Sequence, residues 1–277
     1  MENKKIKFIF FGTPTVASKT LDILKQNNYL PSLIVTSIDK PEGRKMIITP
    51  SPVKIWAQQN NIPFLQPEKI DGSFIDKILK DYGEIDLSIV VAYGKILPEK
   101  LIHGPRLGTI NIHYSLLPKY RGASPVESSL LSGDETTGVS IQQMEFKLDS
   151  GPILQEEKCA IDINDTKDSL REKLIKMGGD LLCRILPDIF DKKIIGKTQN
   201  EEYATFCKKI KKEDGEIDPN GNALQNWNKY RAYIGWPGVF FFVDGKRVKV
   251  TKAKYDNGNF VIEKVIKEGG KETNYCL

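Results

Sequence analysis

Apolar residues fall in short, nearly continuous runs through the first half of the chain, and polar or amphipathic stretches separate them. Residues 6–11 (IKFIFF), 33–37 (LIVTS), 85–91 (IDLSIVV) and 108–113 (GTINIH) predict strands. Strands that are apolar throughout, rather than alternating, belong to a parallel sheet covered on both faces. Gly12-Thr13-Pro14 ends the first run, and Val16, Leu21, Ile23 and Leu24 suit a helix that tolerates Pro14 in its first turn. A charged loop rich in Pro and Gly follows the second run, from Asp39 to Pro52, and a short helix is predicted from Val53 to Gln59. Ser124 and Pro125 read as the N-cap and first residue of a helix through Leu131. Strands over 138–144 and 153–161 and a helix from Asp165 to Phe190 complete this part.

The texture changes from Gly196. Residues 196–220 are polar and hold little that could form a core, and 222–233 suit a short helix. Runs at 238–243 (GVFFFV), 246–252 (KRVKVTK) and 259–266 (NFVIEKVI) are joined by Asp244-Gly245 and Asn257-Gly258, which are strong hairpin signals. The division expected is an α/β domain over 1–190, a linker over 191–203 and a small antiparallel β unit over 204–277.

Composition changes this picture little. The hydrophobic content of 40% supports an ordinary globular core. No apolar stretch approaches the roughly 20 residues that span a membrane, so a cytoplasmic protein with no membrane partner is expected, most simply a monomer. The four cysteines are scattered and the chain holds two histidines, which argues against a structural zinc site. Of the net charge of +5, the final third supplies most, with 17 Lys/Arg against 13 Asp/Glu over 186–277. That suits a polyanionic partner, and equally a solvated lysine-rich surface.

The Gly-Thr-Pro turn lacks the three-glycine pattern of a dinucleotide site, so it reads as a tight strand-to-helix turn. More chemistry lies in residues 108–123. Period two puts Asn111 and His113 on one face of a strand, near the end where open α/β sheets form their ligand crevice. An amide donor beside an imidazole can stabilise an oxyanion and carry a proton, although such a pair is also a common structural hydrogen-bonding unit. The following Ser115-Leu116-Leu117-Pro118 loop carries two leucines that no periodic pattern protects, so it is either a ligand wall or a buried plug. Asp149, in Leu148-Asp149-Ser150-Gly151, is either turn chemistry or, if it folds beside His113, the group that orients that ring.

Taken together, the segments FFGTP (10–14), KPEGRKMIITPSPVK (40–54), VVAYGKILP (90–98), INIHYSLLPKYRGASP (110–125) and SGDETTGVSIQQMEFKLDSGPIL (132–154) resemble the folate-dependent formyltransferase family, with weaker similarity at 203–218 and 234–238. The resemblance implies a Rossmann-like formyltransferase domain followed by a small β-barrel of OB-like type, and this chain departs from the family in a tail that is shortened after residues 252–255. It implies that Asn111, His113 and Asp149 are the catalytic set. It also implies that 10-formyltetrahydrofolate lies against Ser115, Leu116, Leu117 and Pro118, with its pterin shared by Tyr93, Gly94, Ile96 and Leu97, and that no metal takes part. Among amine acceptors used in the family, the 39–52 insertion favours initiator methionyl-tRNA, with Arg44 and Lys45 contacting the tRNA. Tyr114 stands where small residues are common and should face away from Asn111 and His113.

Three other readings remain at this point. An amino-sugar nucleotide could replace tRNA as acceptor within the same family. A nicotinamide-dependent oxidoreductase would need the glycine fingerprint that is missing. A non-enzymatic RNA-binding protein would need exposed aromatics on neighbouring strands of the basic tail, whereas Phe240 to Phe242 read partly as core.

Overall fold

A computed structural model describes residues 6–43 and 45–275. The chain begins β1 (Phe8–Gly12), α1 (Thr15–Gln26), β2 (Leu33–Val35), β3 (Lys40–Glu42), β4 (Ile47–Thr49), α2 (Pro52–Gln59) and β5 (Phe64–Leu65). It continues α3 (Gly72–Tyr82), β6 (Leu87–Val91), α4 (Glu99–His103), β7 (Thr109–His113), β8 (Arg121–Gly122) and α5 (Pro125–Leu131). Then come β9 (Thr136–Gln143), β10 (Ile153–Ala160), α6 (Lys167–Phe190), β11 (Phe206–Cys207), α7 (Ala223–Tyr233), β12 (Val239–Val243), β13 (Lys246–Asp256), β14 (Asn259–Lys267) and β15 (Glu272–Asn274).

Seven strands form one sheet in the order β10-β9-β7-β6-β1-β2-β5. From β7 to β5 the neighbours are parallel, and β9 runs antiparallel to β7. β1 and β6 are buried at every residue, which accounts for their uninterrupted apolar sequence. The chain builds from β1 outward through β2 and β5, then resumes on the other side of β1 with β6 and β7. In open α/β sheets such a reversal is where a ligand crevice forms, at the C-terminal ends of the strands. There, the Thr13 hydroxyl donates to the Tyr93 carbonyl at 3.2 Å and lies 3.0 Å from the Ser37 hydroxyl, tying the ends of β1, β2 and β6 together. A Cβ on Gly12 would sit 2.6 Å from the Ala17 Cβ, so this glycine serves close packing of the first turn.

The region read as a loop between Asp39 and Pro52 contains a hairpin. Lys40 pairs with Thr49, Pro41 with Ile48 and Glu42 with Ile47. The β-branched Ile47-Ile48-Thr49 run supplies the strand propensity that the flanking Pro and Gly obscured. Ser124 stands at the N-cap of α5 as expected, yet its hydroxyl donates to the Lys208 carbonyl and makes no cap hydrogen bond.

Two compact units divide the chain, one of Met1–Pro118, Val139–Glu157 and Leu174–Ala204, the other of Lys119–Gly138, Lys158–Lys173 and Thr205–Leu277. In the second unit, β12 to β15 form an antiparallel four-stranded sheet in sequential order. Asp244, Gly245, Asn257 and Gly258 all have positive φ, so both predicted turns are of the type that matches strand twist. Phe240 and Phe241 are buried and Phe242 is half exposed. On α7, Trp227 stacks with Tyr230 and with Tyr255, while its indole N–H donates to the Ile163 carbonyl at 2.8 Å. Arg231, almost fully buried, donates to the carbonyls of Asp162 and Asp165 and to the Asn228 Oδ1. Helix α7 thereby fixes the turn ahead of α6. Among the described residues, no helix is long and apolar enough to cross a membrane.

Candidate active site

The first unit carries the candidate site at the end of β7. Asn111 and His113 share a face of that strand, and its antiparallel partner β9 sets Gln142 opposite Asn111 and Ser140 opposite His113. Asn111 is partly exposed, whereas His113 is buried. This difference follows from position, because His113 ends the strand under its own following loop.

Asp149 lies beside His113. Its Oδ2 is 3.7 Å from the His113 Nδ1, an ion-pair separation rather than a short hydrogen bond, and its side chain is 11% exposed. The residue has a φ of 48°, in the left-handed region that a short polar side chain tolerates. Two residues on, a Cβ at Gly151 would meet the Gln143 carbonyl oxygen at 1.8 Å. The Asp-Ser-Gly sequence therefore has two separate backbone reasons, an αL aspartate and a glycine passed closely by the neighbouring strand.

Ser115 to Pro118 forms a tight loop directly after β7. The Ser140 hydroxyl donates to the Ser115 carbonyl at 2.8 Å and accepts from the Leu117 N–H at 3.0 Å, so β9 holds the loop against the strand end. Of the two leucines read as unprotected, Leu117 is buried and only Leu116 is half-buried, because this anchoring turns one of them into the core. The parallel neighbour β6 delivers Tyr93 to Leu97 at the same end of the sheet. Ile96 is 82% exposed there, while Tyr93 and Leu97 are buried. Burial pushes the Tyr93 phenol up to about 12, so it stays neutral, and its hydroxyl has no hydrogen-bond partner among the described residues. Tyr114 is buried and its ring lies within van der Waals reach of Gly178, on the other side of β7 from Asn111 and His113. Lys45 is exposed in the β3–β4 turn, and Arg44 lies outside the described residues.

A family model described as formyl transferase matches residues 4–186, and one described as formyl transferase, C-terminal domain, matches 209–271. The chain belongs to the formyl transferase family. A methionyl-tRNA formyltransferase of Sulfurihydrogenibium sp. is 39% identical over 96% of this chain and 86% of its own length. One of Staphylococcus epidermidis is 38% identical over 93% of this chain and 84% of its own. Among solved structures, an N-formyltransferase from Helicobacter canadensis, in complex with folinic acid and dTDP-3-aminofucose, has a TM-score of 0.71. It is 17% identical, covering 98% of this chain and all of that one, and shares the fold.

Three polar residues beside the candidate site were not singled out from the sequence: Ser140, Gln142 and Gln199. Gln142 donates to the Asp149 Oδ1 at 2.9 Å, and Gln199 donates to the carbonyls of Asp149 and Gly151 at 2.9 and 2.7 Å. All three are at least nine-tenths buried. For Ser140 and Gln142 a signal existed, since β9 alternates and puts both on one face. Gln199 had none, because it sits in a polar stretch that reads as a linker. Among the described residues no cluster of three His, Cys, Asp or Glu side chains is placed to hold a metal ion.

Proposed function

We propose that this formyl transferase moves the formyl group of 10-formyltetrahydrofolate to the free α-amine of initiator methionyl-tRNA, in the cytoplasm. The observation that carries the reading is the convergence of Asn111, His113 and Asp149 at one strand end, in a chain whose named sequence relatives are methionyl-tRNA formyltransferases. Attack of the amine on the formyl carbon develops negative charge on the formyl oxygen. The Asn111 amide and the His113 ring are the donors suited to meet that charge. Asp149 keeps His113 oriented and is suited to accept the proton that the amine releases, directly or through water. No step in this scheme calls on a metal.

The donor fits the residues present. Tyr93 offers a buried neutral hydroxyl that lacks a partner among the described residues, and Ile96 and Leu116 offer apolar surface on adjacent strand-end loops. A folate ligand in a neighbour of the same fold is in keeping with this. We assign the chemistry to residues 1–190, joined through 191–203 to a tRNA-binding tail over 204–277, in keeping with the extents of the two family models. The β3–β4 hairpin, with Lys45 exposed beside Arg44, is the second tRNA contact.

The test is a formyl-transfer assay with 10-formyltetrahydrofolate and charged initiator tRNA, run beside an amino-sugar nucleotide. Formylmethionyl-tRNA should form and the sugar should remain unmodified. Turnover of the sugar alone would transfer the assignment to the other acceptor class.

A further inference from the structure

Asp149 is held from two directions. Gln199 secures the main chain by donating to its carbonyl and to that of Gly151. With the backbone of this αL residue fixed, the direction of the carboxylate depends on its two side-chain torsions. Gln142 sets these through the 2.9 Å hydrogen bond from its Nε2 to Oδ1, and Oδ2 is the oxygen turned toward the His113 Nδ1. Gln142 is 1% exposed, and its own Oε1 is buried with no hydrogen-bond partner among the described residues. An unpaired buried acceptor is costly, and an apolar residue of the same size would fill the position without that cost. What only the amide supplies at this position is a donor for Asp149.

We infer that Gln142 is a positioning residue for formyl transfer, its amide N–H fixing one carboxylate oxygen of Asp149 so that the other faces His113. This rests on the proposed roles of Asp149 and His113. The register explains how the strand pair accomplishes it: Gln142 stands opposite Asn111, so one cross-strand pair contributes both an oxyanion donor and the residue that aims the carboxylate. Two residues earlier on the same face, Ser140 performs the corresponding task for the Ser115 loop. Strand β9 thus holds both neighbours of His113.

Gln142→Met keeps length and volume and removes the donor. Single-turnover formyl transfer should fall about 10- to 100-fold, the scale of loss when a reacting group is misplaced by about an ångström, with KM for both substrates within about threefold. In an Asp149→Ala background the same substitution should cost less than about twofold, because the residue through which it acts is gone. Gln142→Glu keeps the shape, replaces the donor with a carboxylate facing a carboxylate, and should lose at least as much. Crystal structures of wild type and Gln142→Met give a readout that needs no substrate, and the Asp149 carboxylate should rotate away from His113 in the variant. Undiminished turnover in Gln142→Met, a loss repeated in full over Asp149→Ala, or an unmoved carboxylate would each overturn the inference. An inactive wild type would instead count against the proposed function, and the two crystal structures would still decide the role of Gln142.

Discussion

Asn111 and His113 occupy alternate positions of one strand yet differ in burial, and that difference bears on the roles proposed for them. In the proposed chemistry the partly exposed amide would meet the ligand from the open side, and the buried imidazole would act from beneath with Asp149 at its side. Replacing either donor with alanine should lower kcat on the order of 100- to 1,000-fold in a steady-state formyl-transfer assay. Asn111→Ala should leave the thermal midpoint nearly unchanged, since the side chain contributes little to the core. Equal activity in wild type and both variants would remove them from the chemistry. The residue types and the two-residue spacing of the pair were legible in the sequence. The 3.7 Å approach of Asp149 was not, because it depends on how the β9–β10 connection returns across the sheet.

At the level of elements, close backbone approaches decide several positions. Gly151→Ala would drive a Cβ into the Gln143 carbonyl, so the strand or the Asp149 turn must shift. The expected cost is about 2 kcal/mol, read by chemical denaturation, together with a drop in kcat that Ser150→Ala does not show. In the second unit, α7 anchors the turn before α6 through Arg231 and Trp227. Arg231→Met takes a donor from two carbonyls and from the Asn228 amide oxygen, among which only the Asp162 carbonyl keeps a second donor among the described residues, the Asp165 N–H, and should destabilise by about 3 kcal/mol.

The same turn contains Asp165. Burial alone would raise its carboxyl, but the Lys173 ammonium, the Asp162 N–H and the Ser169 hydroxyl outweigh burial and hold it below the usual carboxylate range. A depressed folded pKa gives stability that is present above the unfolded value and lost as pH falls through the folded one. Wild type should therefore lose more unfolding free energy between about pH 7 and pH 3 than Asp165→Asn does. Equal losses would show that this ion pair is not linked to acid stability.

On the scale of the whole molecule, the net charge of +5, concentrated in the final third, gives the proposed tRNA-binding tail an electrostatic test. Raising salt from about 50 to 200 mM should raise KM for methionyl-tRNA at least about tenfold through counterion effects. KM for the formyl donor, whose apolar contacts salt does not screen, should move by less than about twofold. Parallel shifts in both constants would argue against an electrostatic tRNA surface.

The sequence by itself determined β1, β2, β6, β7, β9 and β10 of the large sheet with helices α1, α2, α5 and α6, the two positive-φ hairpin turns of the tail, and the face shared by Asn111 and His113. Each of these is a local matter of hydrophobic period, turn chemistry and alternation along one strand. It missed β5, α3 and α4, and it missed the β3–β4 hairpin, where Pro and Gly outweighed three β-branched residues. Tertiary structure alone decided that Leu117 turns inward while Leu116 does not, and that Asp149 meets His113. It also decided that Gln142 and Gln199, the latter in a stretch that reads as a linker, hold that aspartate in place. These outcomes depend on pairing register and on contacts between residues far apart in the chain, which no local pattern encodes.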